Sequence, residues 1–277
     1  MDNVKDDNYQ IIFVNRIKVV SLLMIVTSIL TIIVACIGVV NSKIYKNLTN
    51  GEIASDFAVA GSVNQDLLSI VCGLLLFIFS CYLIRKSHFK LLVISLGLVG
   101  YIFYCYALYT FGIMQTPLYL AYIAIFVLSV YILIMGVLSL NSAEVVKRIW
   151  LKKRIRIAIG VFLILVSTFM SIKWISDILL MQIQKDVSLI AAMDLGVVLP
   201  ACLVFAIMII KNKAYGIILS GVALVKVFSL CLSIALGTFI APYFNLSPDY
   251  EAFAFFSALA VVSLLLFILY LKGIRVE

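Results

Sequence analysis

The sequence contains little charge, and this excludes most water-soluble folds. Only 12% of its 277 residues are charged, 65% are hydrophobic, and Asp and Glu together number 13. Soluble domains carry about 25% charged residues, so this chain cannot cover a globule of its size with polar surface. Glycine (14) and proline (4) are also scarce, which excludes a loop-rich or disordered chain. The composition predicts a membrane protein.

Residues that carry catalysis or bind metals are equally sparse. The six cysteines lie within apolar runs without a Cys-x-x-Cys pair, and the only histidine, His88, lies in a basic stretch. Zinc and haem sites need several such ligands close together. We therefore expect no metal, no cofactor and no enzymatic activity, and we interpret the cysteines as small packing residues.

Long apolar runs dominate the rest of the chain. A membrane-spanning helix needs about 20 consecutive apolar residues, and lipid cannot satisfy free backbone groups, so the spans must be helical. The first run is too long for the core of a cleavable signal, and we expect it to remain as an anchor. The predicted fold is an all-α, polytopic transmembrane helical bundle. Its eight spans run approximately over 19–41, 66–84, 91–113, 117–140, 155–179, 189–210, 214–239 and 250–271.

Positive charge is unevenly distributed between the two sides of this bundle. With the N-terminus inside, most of the 21 Lys and Arg residues fall in cytoplasmic segments, as the insertion bias requires. Both termini are therefore expected in the cytoplasm. The basic stretch from Lys147 to Arg156 is interpreted as a topology determinant rather than as a regulatory or lipid-binding motif. The net charge of +8 follows from the same bias and favours contact with anionic membrane lipids, not with nucleic acid.

The two sets of four spans share short motifs, which suggests an internal repeat. Arg16-Ile17-Lys18 opens the first half and Arg154-Ile155-Arg156 opens the second, while Asp66-Leu67 and Asp194-Leu195 lie at the start of the second helix of each. An even number of spans per half preserves orientation, so the repeat would be parallel. The predicted organisation is a first half (1–140), a basic cytoplasmic linker (141–154) and a second half (155–277).

Several motifs also resemble those of one protein family. They are the stretch NQDL at 64–67, the aromatic stretch GYIFYCYALYTFG at 100–112, YLAY at 119–122 followed by SVY at 129–131, DLGVVLP at 194–200 and KAYG at 213–216. Together they resemble uncharacterised multi-pass membrane proteins of Gram-positive bacteria. The resemblance implies a bacterial plasma-membrane location. It implies no particular activity or substrate, because none is established for that family.

Charged residues within the spans are the first candidates for a functional site, because burying a charge in lipid is costly. Lys226 falls near the middle of the seventh span, and Asp194 falls inside the outer part of the sixth. An Asp194–Lys226 ion pair is plausible if the helices are tilted, although such a pair can also be purely structural. Lys173 and Asp177 lie one turn apart on one helix face and are interpreted as an interfacial ion pair beside Trp174.

The other candidates have equally ordinary alternatives. Asp66 can face an outer vestibule, or it can be a first-turn acid stabilised by the helix dipole. The third-span tyrosines, Tyr101 and Tyr104 among them, are spread around the helix, so we expect their hydroxyls to find partners within the bundle rather than to form one groove. Pro200 should interrupt the hydrogen bonds of the sixth span and kink it.

These residues support two hypotheses. In the first, the protein binds or transports a small solute or cation through an outer vestibule formed by Asp66, Asp194, Lys226, Tyr101 and Tyr104. In the second, it is a non-transporting accessory, sensor or assembly protein whose membrane charges only fix helix packing. A lipid-modifying enzyme is the least favoured class, because the sequence shows no nucleophile with a base.

Overall fold

The computed structural model describes residues 11–46, 54–112, 116–183 and 185–276, and over these ranges the protein is a bundle of long helices. Short 3₁₀ turns follow two of the helices, at Ser42–Tyr45 and Ala241–Phe244. The helices and strands are α1 (Val14–Val40), α2 (Asp56–Arg85), α3 (Phe89–Phe111), α4 (Tyr119–Leu138), α5 (Ser142–Arg148), β1 (Ile149–Trp150), α6 (Lys153–Leu179), α7 (Lys185–Met193), a π-helical segment (Asp194–Val198), α8 (Leu199–Ile210), α9 (Ala214–Ile240), α10 (Tyr250–Gly273) and β2 (Arg275–Val276).

Eight of these helical segments are long and apolar enough to cross a membrane, which confirms the predicted all-α bundle. They are α1, α2, α3, α4, α6, the interrupted helix α7–π–α8, α9 and α10. Two of them form the centre of the bundle. In α3 and α9, 78% and 72% of the most apolar window is buried, compared with 39% or less in the others. The remaining spans therefore surround an α3–α9 core and present their apolar faces outward.

The largest difference from the predicted spans is the start of α2. This helix begins at Asp56, not near Asp66, because the Ser55 side chain accepts a hydrogen bond from the Ala58 N–H and caps its first turn. The residues up to Asp66 are too polar to extend an apolar run. They are tolerated because Ser62, for example, faces protein rather than lipid. Asp66 lies almost three turns inside the helix, so its interpretation as a first-turn acid is wrong.

Each half forms a closed ring of four neighbouring helices. In the first half, α1 contacts α2, α2 contacts α3, α3 contacts α4, and α4 returns to α1. In the second half, α6 contacts α8, α8 contacts α9, α9 contacts α10, and α10 returns to α6. The halves meet where α3 contacts α9, with flanking contacts of α2 to α9 and of α3 to α7. The neighbour order is thus the same in the two halves, and the internal repeat stays a prediction.

The same end of each ring is closed by short antiparallel backbone pairing. In the first half, Ile12 pairs with Leu140, and the Phe13 N–H donates to the Ser139 carbonyl over 2.9 Å. In the second half, β1 pairs with β2, so that Trp150 lies opposite Arg275. The segments before the first helix and after the last helix of each half are thus joined. We call this end of the bundle the linker end.

The basic linker is folded rather than extended. Within α5, Glu144 accepts hydrogen bonds from Lys147 at 3.2 Å and from Arg148 at 2.8 Å. The hydrogen bond from the Lys147 ammonium, followed by that from Arg148, lowers the pKa of Glu144 from its ordinary value. The carboxylate therefore offsets part of the positive charge of the linker.

Glycines allow close approach between helices at the core. A Cβ atom added to Gly97 of α3 would lie 2.4 Å from the Cβ of Val225 on α9, which is far inside van der Waals contact. Small residues of this kind are typical of membrane helix interfaces, because they let backbones pack closely. Because Gly97 has no side chain, α3 and α9 can approach each other this closely.

We expect Gly97→Ala to destabilise the bundle by about 1–3 kcal/mol, because the added methyl group would push α3 away from α9. Gly61→Ala is the matched control, since a Cβ atom there meets nothing within 4 Å. Thermal unfolding in detergent measures both variants. Equal melting temperatures for the two variants would contradict the close packing of α3 against α9.

Candidate functional site

Lys226 is a buried cation in the middle of α9. Its side chain is only 8% exposed, and its Nζ atom lies 4.2 Å from the centre of the Tyr104 ring, over the ring face. Such a cation–π contact partly compensates a desolvated ammonium. Among the described residues, no carboxylate lies within 4 Å of this Nζ atom and no hydrogen bond to it is formed. The ammonium therefore has three hydrogen atoms to donate to other groups.

Asp194 accepts hydrogen bonds from two aromatic side chains. The Tyr104 hydroxyl donates to its Oδ1 atom over 3.0 Å, and the Trp174 indole N–H donates to its Oδ2 atom over 3.0 Å. The expected direct ion pair between Asp194 and Lys226 is not formed. Tyr104 lies between the two charges, with its ring against the ammonium and its hydroxyl against the carboxylate, and so it connects them without bringing them into contact.

The backbone that presents Asp194 is irregular. Asp194 begins the π-helical segment, which ends immediately before Leu199-Pro200. Pro200 has no backbone N–H and its ring collides with a carbonyl four residues earlier, so regular α-helical bonding cannot continue through this region. The wider π turn accommodates this constraint. The expected interruption at Pro200 is therefore present as a π turn, a feature that is frequent at functional sites.

A cavity of about 110 Å³ contains these groups. It lies in the second half among α6, the interrupted helix, α9 and α10, and Tyr104 reaches it from α3. Its walls are mostly apolar, formed by residues such as Met170, Leu230 and Phe256. Its polar lining includes Tyr104, Ser167, Trp174, Asp194 and Lys226. A dry cavity of about 150 Å³ holds benzene, so this cavity has room for a molecule of at most about six heavy atoms or for several waters.

Ser167 adds a second polar group that is not saturated by the protein. Its residue is 1% exposed, and its hydroxyl makes no hydrogen bond within the part of the chain that the structure describes. A buried hydroxyl without a partner is unfavourable by about 1–3 kcal/mol. Ser167 borders the cavity, but its oxygen atom has no accessible surface, so among the described lining residues Lys226 is the group with unused hydrogen-bond donors.

The structure places Asp66 away from this cavity. Asp66 is completely buried in the first half, where Tyr45 and Tyr109 donate hydrogen bonds to its two carboxylate oxygens. It does not contribute to the lining of the cavity. The expected vestibule shared by Asp66 and Asp194 is therefore two separate polar clusters, one in each half. The reason is that Tyr45, from the turn after α1, covers Asp66 on its own side of the bundle.

Tyr101 likewise belongs to the packing between the halves. It is fully buried, and its hydroxyl lies 3.3 Å from the Gln65 carbonyl and 3.4 Å from the Ser233 hydroxyl. It is not part of the cavity lining. Of the five predicted site residues, the structure brings together Tyr104, Asp194 and Lys226, whereas Asp66 and Tyr101 lie elsewhere. As expected, the tyrosine hydroxyls of α3 are directed to different helices.

Two residues of these clusters were not predicted from the sequence. Trp174 was interpreted only as an interfacial residue beside the Lys173–Asp177 ion pair, which the structure confirms at 2.7 Å. No periodicity links Trp174 to Asp194, because they lie on different helices. Tyr45 lies in a short turn between spans, and nothing in the sequence indicates that it folds back onto Asp66. Only the tertiary contacts reveal both partners.

Comparisons with known proteins add no precedent for this arrangement. No protein-family model, no curated protein and no solved structure matches the chain. The resemblance to uncharacterised membrane proteins of Gram-positive bacteria therefore stays a prediction. The functional argument starts from the cavity and its charges.

Proposed function

We propose that this chain is a multi-pass protein of the bacterial plasma membrane, with both termini in the cytoplasm, that binds and carries a small organic anion. The ligand has one anionic group and a short apolar body. The observation that carries this proposal is the Lys226 ammonium, which faces an apolar cavity without a carboxylate within 4 Å in the described part of the chain.

The charges of the site favour an anion over a cation. An isolated ammonium in an apolar environment is strongly unfavourable, and Tyr104 compensates only part of that cost. Asp194 does not complete the compensation by direct contact, because Tyr104 lies between its carboxylate and the ammonium and the two charged groups form no ion pair. An anionic group beside Lys226 would accept its free N–H groups. A small cation would instead meet a positive charge next to the carboxylate, which opposes binding.

The rest of the cavity restricts the shape of the ligand. Apart from its polar end, the lining is formed by side chains such as Leu163, Val166 and Ile234, which favour an aliphatic or aromatic body. A branched four-carbon carboxylate is of the right size and polarity for this lining.

Two features of the backbone support carriage rather than binding alone. The interrupted helix places Asp194 beside the cavity, and interrupted membrane helices border the substrate sites of many transporters. The two rings of helices also meet through few elements, chiefly α3 and α9. The cavity lies next to this contact, so a movement of one ring against the other would change its access.

Isobutyrate should raise the melting temperature of the purified protein, whereas isobutylamine and isobutanol should not, because only the acid supplies a charge for Lys226. At a concentration of about 100 times Kd, binding stabilises the folded state by about 2.7 kcal/mol. Lys226→Met should abolish the shift. The matched control is Lys86→Met, which removes an exposed ammonium that does not line the cavity and should leave the shift unchanged. Stabilisation by isobutylamine instead would contradict the proposal and indicate a cationic ligand.

Uptake assays test whether the protein carries the anion across the membrane as well as binding it. Proteoliposomes containing the protein should accumulate radiolabelled isobutyrate faster than empty liposomes, and Lys226→Met should reduce the rate at least tenfold. Binding of isobutyrate without uptake would contradict carriage and indicate a solute-binding sensor.

Native cysteines report whether water reaches the cavity. Cys202 and Cys231 contribute to its lining, whereas Cys72 and Cys105 are buried outside it. A small water-soluble methanethiosulfonate should therefore modify the first two cysteines, and isobutyrate should slow their modification. Peptide mass spectrometry quantifies all four positions in one sample. Equal modification of the two pairs of cysteines would mean that water reaches the cavity no more easily than it reaches the buried core outside it.

The second candidate function is an accessory or assembly role in which the charges only hold helices together. The observation in its favour is that Asp194 joins α3 to α6 through Tyr104 and Trp174. This role predicts that Asp194→Asn and Lys226→Met each destabilise the bundle and that the double variant recovers part of the loss. Such recovery, without any stabilisation of the wild type by isobutyrate, would favour this role over carriage.

A further inference from the structure

Asp66 is a carboxyl group deep within the first half that no cation accompanies. Its exposed fraction is 0%, and no Lys, Arg or His of the described chain forms an ion pair with it. Its titratable neighbours are uncharged at neutral pH in their ordinary state. They are Tyr45 from the turn after α1, Cys105, Tyr106 and Tyr109 from α3, and Tyr122 from α4. A permanently ionised carboxylate here would be an uncompensated buried charge, which is strongly unfavourable.

The hydrogen bonds around Asp66 fit two protonation states. The Tyr109 hydroxyl lies 3.1 Å from the Asp66 Oδ1 atom and 2.8 Å from the Ser62 carbonyl, but it has one hydrogen atom. If Asp66 is ionised, this hydrogen points to Oδ1. If Asp66 is protonated, its own O–H donates to the Tyr109 oxygen, and the Tyr109 hydrogen turns to the Ser62 carbonyl. Neither state leaves a polar atom of this trio without a partner.

Tyr45 holds the other carboxyl oxygen in both states. Burial, and next the charge of Asp66, raise the pKa of the Tyr45 hydroxyl well above its ordinary value, so it remains a hydrogen-bond donor. A Cβ atom on Gly38 would overlap both Tyr45 and Asp66, so glycine at this position is what allows the contact. Tyr45 lies at the end of the bundle opposite the linker end. Like Asp66, the Tyr45 side chain is fully buried.

We propose that Asp66 is a proton-binding site that is separate from the ligand cavity. A proton from solvent adds to the Oδ1 atom, the new O–H donates to the Tyr109 oxygen, and the hydroxyl hydrogen of Tyr109 turns from Asp66 to the Ser62 carbonyl. Release reverses both movements. The proposal does not depend on which solute, if any, enters the cavity of the second half.

The experiment is infrared difference spectroscopy of the full-length protein in lipid, with ¹³C-labelled aspartate to separate Asp from Glu. Spectra at acidic and alkaline pH should show a protonated-carboxyl C=O band that is lost on alkalinisation. Asp66→Asn, which keeps the shape of the neutral acid, should remove the band. Asp194→Asn is the matched control and should leave it in place.

Tyr109→Phe provides an independent measurement if the Asp66 variant fails to fold. Loss of the Tyr109 hydroxyl changes the hydrogen bonding of the Asp66 carboxyl group, so the C=O band should move in frequency. A band that persists in Asp66→Asn, the absence of any protonated-carboxyl band in the wild type, or an unmoved band in Tyr109→Phe would overturn the proposal. Because no organic anion is present in these samples, such a result leaves the proposed cavity ligand unaffected.

Discussion

The candidate site depends on the contact of Tyr104 with the two charged groups of the cavity, Lys226 and Asp194. Its ring faces the Lys226 ammonium and its hydroxyl donates to the Asp194 carboxylate. One neutral side chain from α3 thereby stabilises a cation on α9 and an anion at the π turn without neutralising either. The first half contributes this side chain to a cavity that otherwise belongs to the second half, so the site requires both rings of the bundle.

The two carboxylates that the repeat would relate, Asp66 and Asp194, have different surroundings. Both accept hydrogen bonds from tyrosines of α3, yet Asp66 is sealed by Tyr45 whereas Asp194 borders a cavity with a lysine. Related positions in the two halves thus have different chemistry. The two halves place these carboxylates in different surroundings on either side of the α3–α9 contact.

The sequence predicts the spans well and the site only in part, for a physical reason. Apolar runs locate helices that face lipid, but polar residues that face protein shorten those runs, as at the start of α2 before Asp66. The sequence left an Asp194–Lys226 ion pair open, and the described residues form none. The sequence could not show that Tyr104 fills the space between them. Contacts such as Trp174 to Asp194 depend on helix rotation and tilt, which local patterns do not specify.

The antiparallel pairing at the linker end has a mechanical consequence. Ile12 pairs with Leu140 in one ring, and β1 pairs with β2 in the other. In each ring, antiparallel backbone pairing therefore joins the segments next to the first and fourth helices. This pairing restrains the spacing of the first and fourth helices of each ring at the linker end. Trp174 and Tyr45 lie toward the opposite end, where a given change of helix tilt about this pairing produces the largest displacement.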